Sequence, residues 1–104
     1  MVRTELLFGL SAPDGGNVSD GEWNTFLETE VSPRFPDGLT VLRGYGQWRG
    51  DSGSIAKEDS IVLLIWHDEH PSRETDIEAI RTAYKTRFEQ ESVMRVAATS
   101  CVSF

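Results

Sequence analysis

The pattern of hydrophobic and polar positions predicts six segments of regular structure, the first of which spans residues 2–10. Its sequence, "VRTELLFGL", is rich in strand-forming residues and runs into the turn-forming "SAPDGGN", which predicts a strand and then a loop. Ser19 and Glu22 form a capping-box pattern, which predicts the start of a helix. The hydrophobic residues that then recur at helical spacing are Trp23, Phe26, Leu27 and Val31. Pro33 ends this helix, because the residue before a proline avoids the helical region.

Two strands are predicted next, with the sequences "LTVLRGYGQWR" and "SIAKEDSIVLLIWHD" joined by "GDSG" at residues 50–53. Glycines and short polar residues favour a tight hairpin here. A loop with two central residues would pair Gly50 with Gly53, and counting back from this pair sets the register of the hairpin. The side chains that this register places on one sheet face are Arg43, Tyr45, Gln47, Glu58, Ser60, Leu64 and Trp66, with Glu5 and Arg95 as further candidates from neighbouring strands. A loop with one more residue would shift the register and separate this set.

A second helix is predicted from about Ser72 to Gln90, after the break at "HPS", with either Ser72 or Thr75 as its cap. The residues on its apolar stripe are Ile77, Ile80, Tyr84 and Phe88. The last segment, "VMRVAATSCVSF", alternates as a strand does. Its predicted faces are Met94, Val96, Ala98, Val102 and Phe104 on one side and Arg95, Thr99, Cys101 and Ser103 on the other.

The order of these elements is β-α-β-β-α-β, which predicts a ferredoxin-like α+β fold in one domain of residues 1–104. Right-handed crossovers place the first and third strands at the centre of a four-stranded antiparallel sheet, with both helices on one face. The third strand is apolar on both parities over residues 61–66, whereas a strand open to water on one side should alternate. A symmetric partner chain is the simplest cover for the second face, so the sequence predicts a homodimer.

Charge and composition narrow the classes of partner. The chain has 17 acidic and 10 basic residues and a formal net charge of −7, which disfavours nucleic acid and anionic membranes. RNA-recognition domains share this topology, but the first and third strands offer no basic and aromatic platform. No apolar run approaches the ~18 residues of a membrane span, and the start has no cleavage pattern, so we expect a cytoplasmic protein with no membrane partner.

Metal and cofactor chemistry has little support in the sequence. Cys101 is the only cysteine, and it has no ligand partners at zinc spacing. The run from His67 to His70, "HDEH", places its side chains in alternating directions before Pro71, which favours a polar turn over a metal site. No phosphate loop, nucleophile elbow or Cys-x-x-Cys motif is present, so we expect no metal and no cofactor.

Two backbone features have both a structural and a functional interpretation. Pro33 and Pro36 restrict the loop around Arg34, so they could present Arg34 to an anion, or they could end the helix while Phe35 plugs the core and Arg34 stays solvated. Gly44 and Gly46 strip one strand face of side chains, which suits either a helix or ring packed closely on the sheet or a ligand lying on the backbone.

The candidate site is the polar cluster on the outer sheet face under a dimer partner. Its proposed acid or base is Glu58, with Tyr45 as a second catalytic candidate, and the arginines that could hold an anionic group are Arg34, Arg43 and Arg95. Further ligand contacts are expected from Gln47, Ser60 and Trp66. This set predicts a protein that binds a small polar or anionic molecule, with a cofactor-independent enzyme as one form of that function. The alternative is a structural or interaction module whose polar face is a dimer interface.

Four sequence blocks together carry a family resemblance. They are "ELLFGL", "W..F....VSPRFPDGLTVL.G.GQWRG", "KEDSIVLLI" and "YK.RFEQESVMRV", and the chain resembles a family of small bacterial proteins catalogued as a domain of unknown function. The resemblance implies no established activity, and family members often carry an export signal. It implies a signature formed here by Trp23, Arg34, Phe35, Pro36, Asp37, Gly38, Gln47, Trp48, Glu58, Ser60, Tyr84, Gln90, Ser92 and Arg95.

Overall fold

The computed structural model describes residues 1–104 and contains four strands and two helices. The strands are β1 (Val2–Gly9), β2 (Thr40–Arg49), β3 (Ile55–His67) and β4 (Met94–Thr99). The helices are α1 (Asp20–Phe26), which continues as a π-helical turn over Leu27–Val31, and α2 (Pro71–Arg87). The element order is therefore the predicted β-α-β-β-α-β.

The four strands form one antiparallel sheet in the order β2-β3-β1-β4. The predicted α+β, ferredoxin-like fold is confirmed, with β1 and β3 in the centre. Even-numbered residues of β1 and odd-numbered residues of β3 point to the helices, so Leu6 lies opposite Leu63 and both are fully buried. We call the other side, which no helix covers, the open face. Neither helix is long and apolar enough to cross a membrane.

An aromatic cluster joins the two helices to the sheet. The ring of Phe8 lies 4.7 Å from that of Tyr84 and 5.0 Å from that of Trp23, measured between centroids. Phe26 and Tyr84 pack edge to face at 5.2 Å, a favoured geometry for aromatic pairs. Because these rings come from β1, α1 and α2, the core fixes both helices against the end of β1 that precedes Gly9.

The helix ends follow local chemistry. The predicted capping box of α1 is present, since Ser19 Oγ accepts from the Glu22 amide and the Glu22 carboxylate accepts from the Ser19 amide. The predicted cap of α2 was wrong: His70 Nδ1 accepts from the Ser72 amide at 3.1 Å. Pro71 occupies the first helical position, where the missing N–H costs nothing, so the cap is His70, two residues before Ser72.

The last strand is shorter than the alternating sequence predicts. β4 ends at Thr99, which lies opposite Val2 at the start of β1. Beyond this pair only Met1 remains, and it hydrogen-bonds to Ser100, so Val102 and Phe104 extend past the sheet and are exposed. The predicted two-faced strand through Phe104 is therefore wrong beyond Thr99, because alternation cannot form a strand without a neighbour.

The register of the β2–β3 hairpin differs from the prediction by one residue. Gly50 donates its amide to the Ser54 carbonyl at 3.0 Å, which leaves a three-residue loop that ends at Gly53 with φ of 84°. A glycine in this conformation is typical of three-residue hairpins. Consequently Glu58 pairs with Gly46 rather than Tyr45, and Ser60 pairs with Gly44.

This shift changes which side chains share a face. Glu58, Ser60, Leu64 and Trp66 lie on the open face, whereas Arg43, Tyr45 and Gln47 lie on the helix side of the sheet. The predicted polar cluster that combined both sets was therefore wrong as a single surface. Residues 55–59 of β3 pair with β2 but not with β1, so Tyr45–Asp59 forms a two-stranded extension that we call the β-arm.

Candidate functional site

A cleft of about 630 Å³ lies on the open face at the root of the β-arm. It is bounded by the end of β1, by the β-arm, and by the connection from α2 to β4. Its lining residues are Leu7, Gly9, Ser11, Ala12, Pro13, Gly46, Trp48, Glu58, Ser60, Glu89, Gln90, Glu91, Ser92 and Met94. The volume falls within the usual range for small-molecule sites. We call it the Glu58 cleft.

The carboxylate of Glu58 is held in a defined position beside Gly9. The backbone amide of Ser11 donates to Glu58 Oε2 at 3.0 Å. A Cβ atom built on Gly9 would lie 2.7 Å from Oε1 and 2.9 Å from Oε2, which is closer than real Cβ atoms approach. Position 9 therefore has room for the carboxylate because it carries no side chain, while Oε1 has no hydrogen-bond partner within the chain.

Tyr84 supports the same glycine from the helix side. Its hydroxyl donates to the carbonyl oxygen of Gly9 at 2.6 Å, and its ring is fully buried in the aromatic cluster. Burial, and next the negative charge of Glu58, raise the pKa of the Tyr84 phenol well above its ordinary value. The phenol therefore stays protonated and remains a donor at every physiological pH.

The connection from α2 to β4 forms the rim of the cleft. Glu89 adopts a left-handed conformation with φ of 53°, which turns the chain after the helix. Gln90 then reaches back, because its Nε2 donates to the Ser11 carbonyl at 2.7 Å. This contact ties the rim to the segment that holds Glu58.

The two glycines of β2 face the open side of the sheet. A Cβ on Gly44 would lie 2.7 Å from Ser60 Oγ, whereas one on Gly46 would meet only the Glu58 carbonyl at 3.8 Å. Close packing of a helix, the first of the two interpretations above, is wrong because the helices cover the other face. Ligand contact at Gly46 stays a prediction, and the neighbouring Trp48 leaves 52% of its surface exposed there.

Of the predicted site residues, the structure brings Glu58 and Ser60 into the cleft. Tyr45 and Gln47 lie on the helix side of the β-arm, and Tyr45 is 62% exposed. Trp66 shares the open face with Glu58 but lies further along β3. At the usual length per residue of a strand, the two positions are about 26 Å apart. Roles for these residues in binding or catalysis stay predictions.

The three arginines expected to hold an anion do not approach the cleft, because each pairs with a carboxylate elsewhere. Arg43 pairs with Asp20 of α1. Arg95 Nη1 donates to Glu74 Oε1 at 2.7 Å, and both Glu74 and Glu78 of α2 contact its guanidinium. Hydrogen bonding to Glu74, followed by the charges of the two glutamates, raises the pKa of Arg95, while the same contacts lower the pKa of Glu74.

The proline-flanked loop follows the structural interpretation for Phe35, whereas Arg34 is not left solvated as that interpretation expected. Phe35 is only 6% exposed, and the Arg73 guanidinium lies 5.7 Å from its ring centroid. Arg34 donates to Glu30 Oε2 at 2.9 Å and to the Glu30 carbonyl. Arg34 therefore binds back to the preceding helical turn; it is neither free in solvent nor paired with Glu58 within the chain.

Sequence reasoning missed much of the cleft. Gly9, Ser11, Glu89 and Glu91 were not among the predicted site residues, and the contact between Ser11 and Gln90 joins residues that are 79 positions apart. A partial signal existed in the residues that the resemblance implies as a signature. Those that line the cleft are Trp48, Glu58, Ser60, Gln90 and Ser92, with Tyr84 directly behind it.

The structure contains no group of three His, Cys, Asp or Glu side chains that could hold a metal ion.

Comparison with known proteins confirms the family resemblance. A family model described as "Protein of unknown function (DUF3574)" matches residues 3–104, so the chain belongs to this family. No curated protein matches the sequence.

Two solved structures have the same fold. A phage SAM lyase in complex with S-methyl-5'-thioadenosine superposes with a TM-score of 0.71 at 15% identity, covering 93% of this chain and 79% of the lyase chain. The phage SAM lyase in its apo state gives a TM-score of 0.69 at 14% identity, with 93% and 78% coverage. At this identity the likeness shows the fold alone.

Proposed function

Since family membership leaves the activity open, we propose that this protein binds a small molecule in the Glu58 cleft. The observation that carries the proposal is the placement of Glu58. Its carboxylate is fixed by the Ser11 amide beside a glycine that makes room for it, in a cleft large enough for a small ligand. Its other oxygen, Oε1, is left for a ligand. A carboxylate fixed in a concave site can orient a ligand or exchange a proton with it.

The structural neighbours give the proposal a precedent on the same fold. The phage SAM lyase holds S-methyl-5'-thioadenosine, a small nucleoside derivative. A ligand of that size is compatible with the volume of the Glu58 cleft, and the exposed indole of Trp48 offers a surface on which a ring could stack. S-methyl-5'-thioadenosine is therefore a reasonable first probe.

If the protein is an enzyme, Glu58 is the residue that we propose as its acid or base. Tyr45 cannot share that role within one chain, because it lies on the opposite side of the sheet. Such chemistry would need no cofactor, since a positioned carboxylate transfers protons by itself. Ser60 is the proposed ligand-binding neighbour, because it lines the same cleft two residues along β3.

A thermal-shift screen tests the proposal. We expect at least one member of a small-metabolite panel, which includes S-methyl-5'-thioadenosine, to raise the melting temperature. A ligand at about 100 times its Kd adds about 2.7 kcal/mol to the free energy of unfolding. Glu58→Gln keeps the shape but removes the charge, and should weaken binding at least about tenfold.

The matched control is Glu5→Gln, a charge removal on the same open face outside the cleft. It should bind the ligand as the wild type does. A panel without any stabilising compound, or equal losses in the two variants, would contradict the proposed site.

The second candidate function is a dimerising interaction module, and the open face favours it. Leu42, Met94 and Val96 expose 51%, 59% and 40% of their surfaces there. Exposed apolar residues in one contiguous patch mark interaction surfaces, and no element of the chain covers this face. We propose a second copy of the chain as the partner, which is compatible with a ligand in the neighbouring cleft.

A further inference from the structure

The charged side chains around the Glu58 cleft all have the same sign. The lining contains Glu58, Glu89 and Glu91 and no lysine, arginine or histidine. None of these three glutamates forms an ion pair in the chain, whereas Glu74 and Glu78 on α2 both pair with Arg95. A concave site lined by one sign of charge concentrates ions of the opposite sign.

The apolar part of the lining complements this charge. Trp48 presents an indole that is half exposed, and Leu7 and Met94 contribute further apolar surface. The face of an indole attracts cations, and organic cations in particular, because they can also bury apolar groups against it. The cleft therefore offers an organic cation both a counter-charge and an apolar wall.

An inorganic cation fits the same residues poorly. Divalent metal ions need several ligands that converge within about 2.0–2.6 Å of the ion. The structure contains no group of three His, Cys, Asp or Glu side chains that could hold a metal, and the volume of about 630 Å³ is that of a small-molecule site. Anions are disfavoured by the three unpaired glutamates.

We propose that the ligand of the Glu58 cleft is a small organic cation, an ammonium or sulfonium compound whose charge pairs with Glu58 and whose apolar part lies against Trp48. This inference rests on the proposed function, and it names the class of ligand. It also replaces the anion expected from the arginines, since Arg34, Arg43 and Arg95 pair elsewhere.

Three probes of nearly equal shape and different charge test the class of ligand. They are choline, its uncharged isostere 3,3-dimethylbutan-1-ol, and the anion 3,3-dimethylbutanoate. Each is titrated into the ¹⁵N-labelled protein, and the reporters are the Trp48 indole and the amides of Ser11 and Gly46. We expect choline to shift these resonances with a Kd at least about tenfold below that of the alcohol, and added salt to weaken the binding.

Charge removal identifies the residue responsible. In Glu58→Gln, the preference for choline over the alcohol should fall markedly, to the smaller remainder that Glu89, Glu91 and Trp48 supply. Glu5→Gln is the control, because Glu5 lies on the same face, 3.9 Å from Arg3, and does not line the cleft. This control should keep the full preference for choline.

Three outcomes would overturn the inference. If the alcohol or the anion shifts the same resonances as strongly as choline, the cleft binds ligands of another class and the proposed function stands. The same conclusion follows if a ligand from the thermal-shift screen is uncharged or anionic and shifts these resonances. If no probe shifts them and the screen finds no ligand, the inference and the proposed function fail together.

Discussion

Removal of the Tyr84 hydroxyl tests how the core supports the cleft. In Tyr84→Phe the ring stays buried, but the Gly9 carbonyl loses its donor at 2.6 Å. Leaving one partner of a buried hydrogen bond unsatisfied costs about 1–3 kcal/mol. For a domain of this size each kcal/mol lowers the melting temperature by about 4–8 °C, so we expect a loss that calorimetry and urea denaturation both resolve.

The difference between the two proteins should also depend on alkaline pH. Burial raises the pKa of the Tyr84 phenol above its ordinary value near 10, so the folded state favours the protonated form. The stabilisation is fully present below the pKa of the unfolded chain and is lost as the pH rises above it. The stability advantage of the wild type over Tyr84→Phe should therefore be constant up to about pH 9 and shrink above about pH 10, by at most about 1.4 kcal/mol for each pH unit.

Tyr45→Phe is the matched control, because Tyr45 is 62% exposed and its hydroxyl forms no hydrogen bond within the chain. Its free energy of unfolding should stay within about 0.5 kcal/mol of the wild type. A Tyr84→Phe protein as stable as this control, or a difference that does not change at alkaline pH, would refute the role given to the Tyr84 hydroxyl.

Three further predictions concern the core, the cleft and the open face. Phe35→Ala should lower the free energy of unfolding by about 3–5 kcal/mol in urea denaturation, because the ring is a buried plug; a loss below about 1 kcal/mol contradicts this. Gly9→Ala should cost little stability but abolish ligand-induced stabilisation, because the new Cβ displaces the Glu58 carboxylate; retained binding would show that the carboxylate is not needed where it lies. Sedimentation equilibrium should give twice the 11.6 kDa chain mass and Leu64→Asp should give a monomer or unfold; a wild-type monomer at micromolar concentration contradicts the dimer.

The fold was predictable because its signals are local and repeated. Helical spacing of Trp23 and Phe26, the capping box at Ser19 and the apolar run of β3 each specify an element without knowledge of its neighbours. Right-handed crossovers then allow few arrangements of six such elements. The exceptions, the cap of α2 and the end of β4, depend on single contacts. Val102 and Phe104 alternate like strand residues but have no strand beside them. Periodicity within one segment does not reveal whether a neighbouring strand is available to pair with it.

The site was less predictable, because its composition depends on the conformation of one glycine. With φ of 84°, Gly53 lengthens the hairpin loop by one residue and moves Tyr45 to the helix side, away from Glu58. Since the side chains of a strand alternate between faces, a shift of one residue in the pairing of two strands changes which of their side chains share a face. The predicted partners of Glu58 were thus replaced by Gly9, Ser11 and the rim at Gln90. These residues are distant in sequence, and they meet only because the aromatic core places the end of α2 beside the end of β1.

The same register gives the β2 glycines a physical explanation. Opposite Ser60, a Cβ at position 44 would lie 2.7 Å from the hydroxyl oxygen, so the Ser60 side chain would have to move to make room for it. Opposite Glu58, position 46 is open, and a methyl group would meet only a carbonyl oxygen at 3.8 Å. Packing within this chain therefore does not explain Gly46, although glycine weakens a strand by about 0.5–1 kcal/mol relative to alanine. If a ligand must approach the backbone beside Trp48, Gly46→Ala should raise the stability of the free protein and weaken binding, whereas Gly44→Ala should lower stability. Equal effects of the two substitutions on stability would contradict this distinction, and denaturation of the unliganded variants measures it directly.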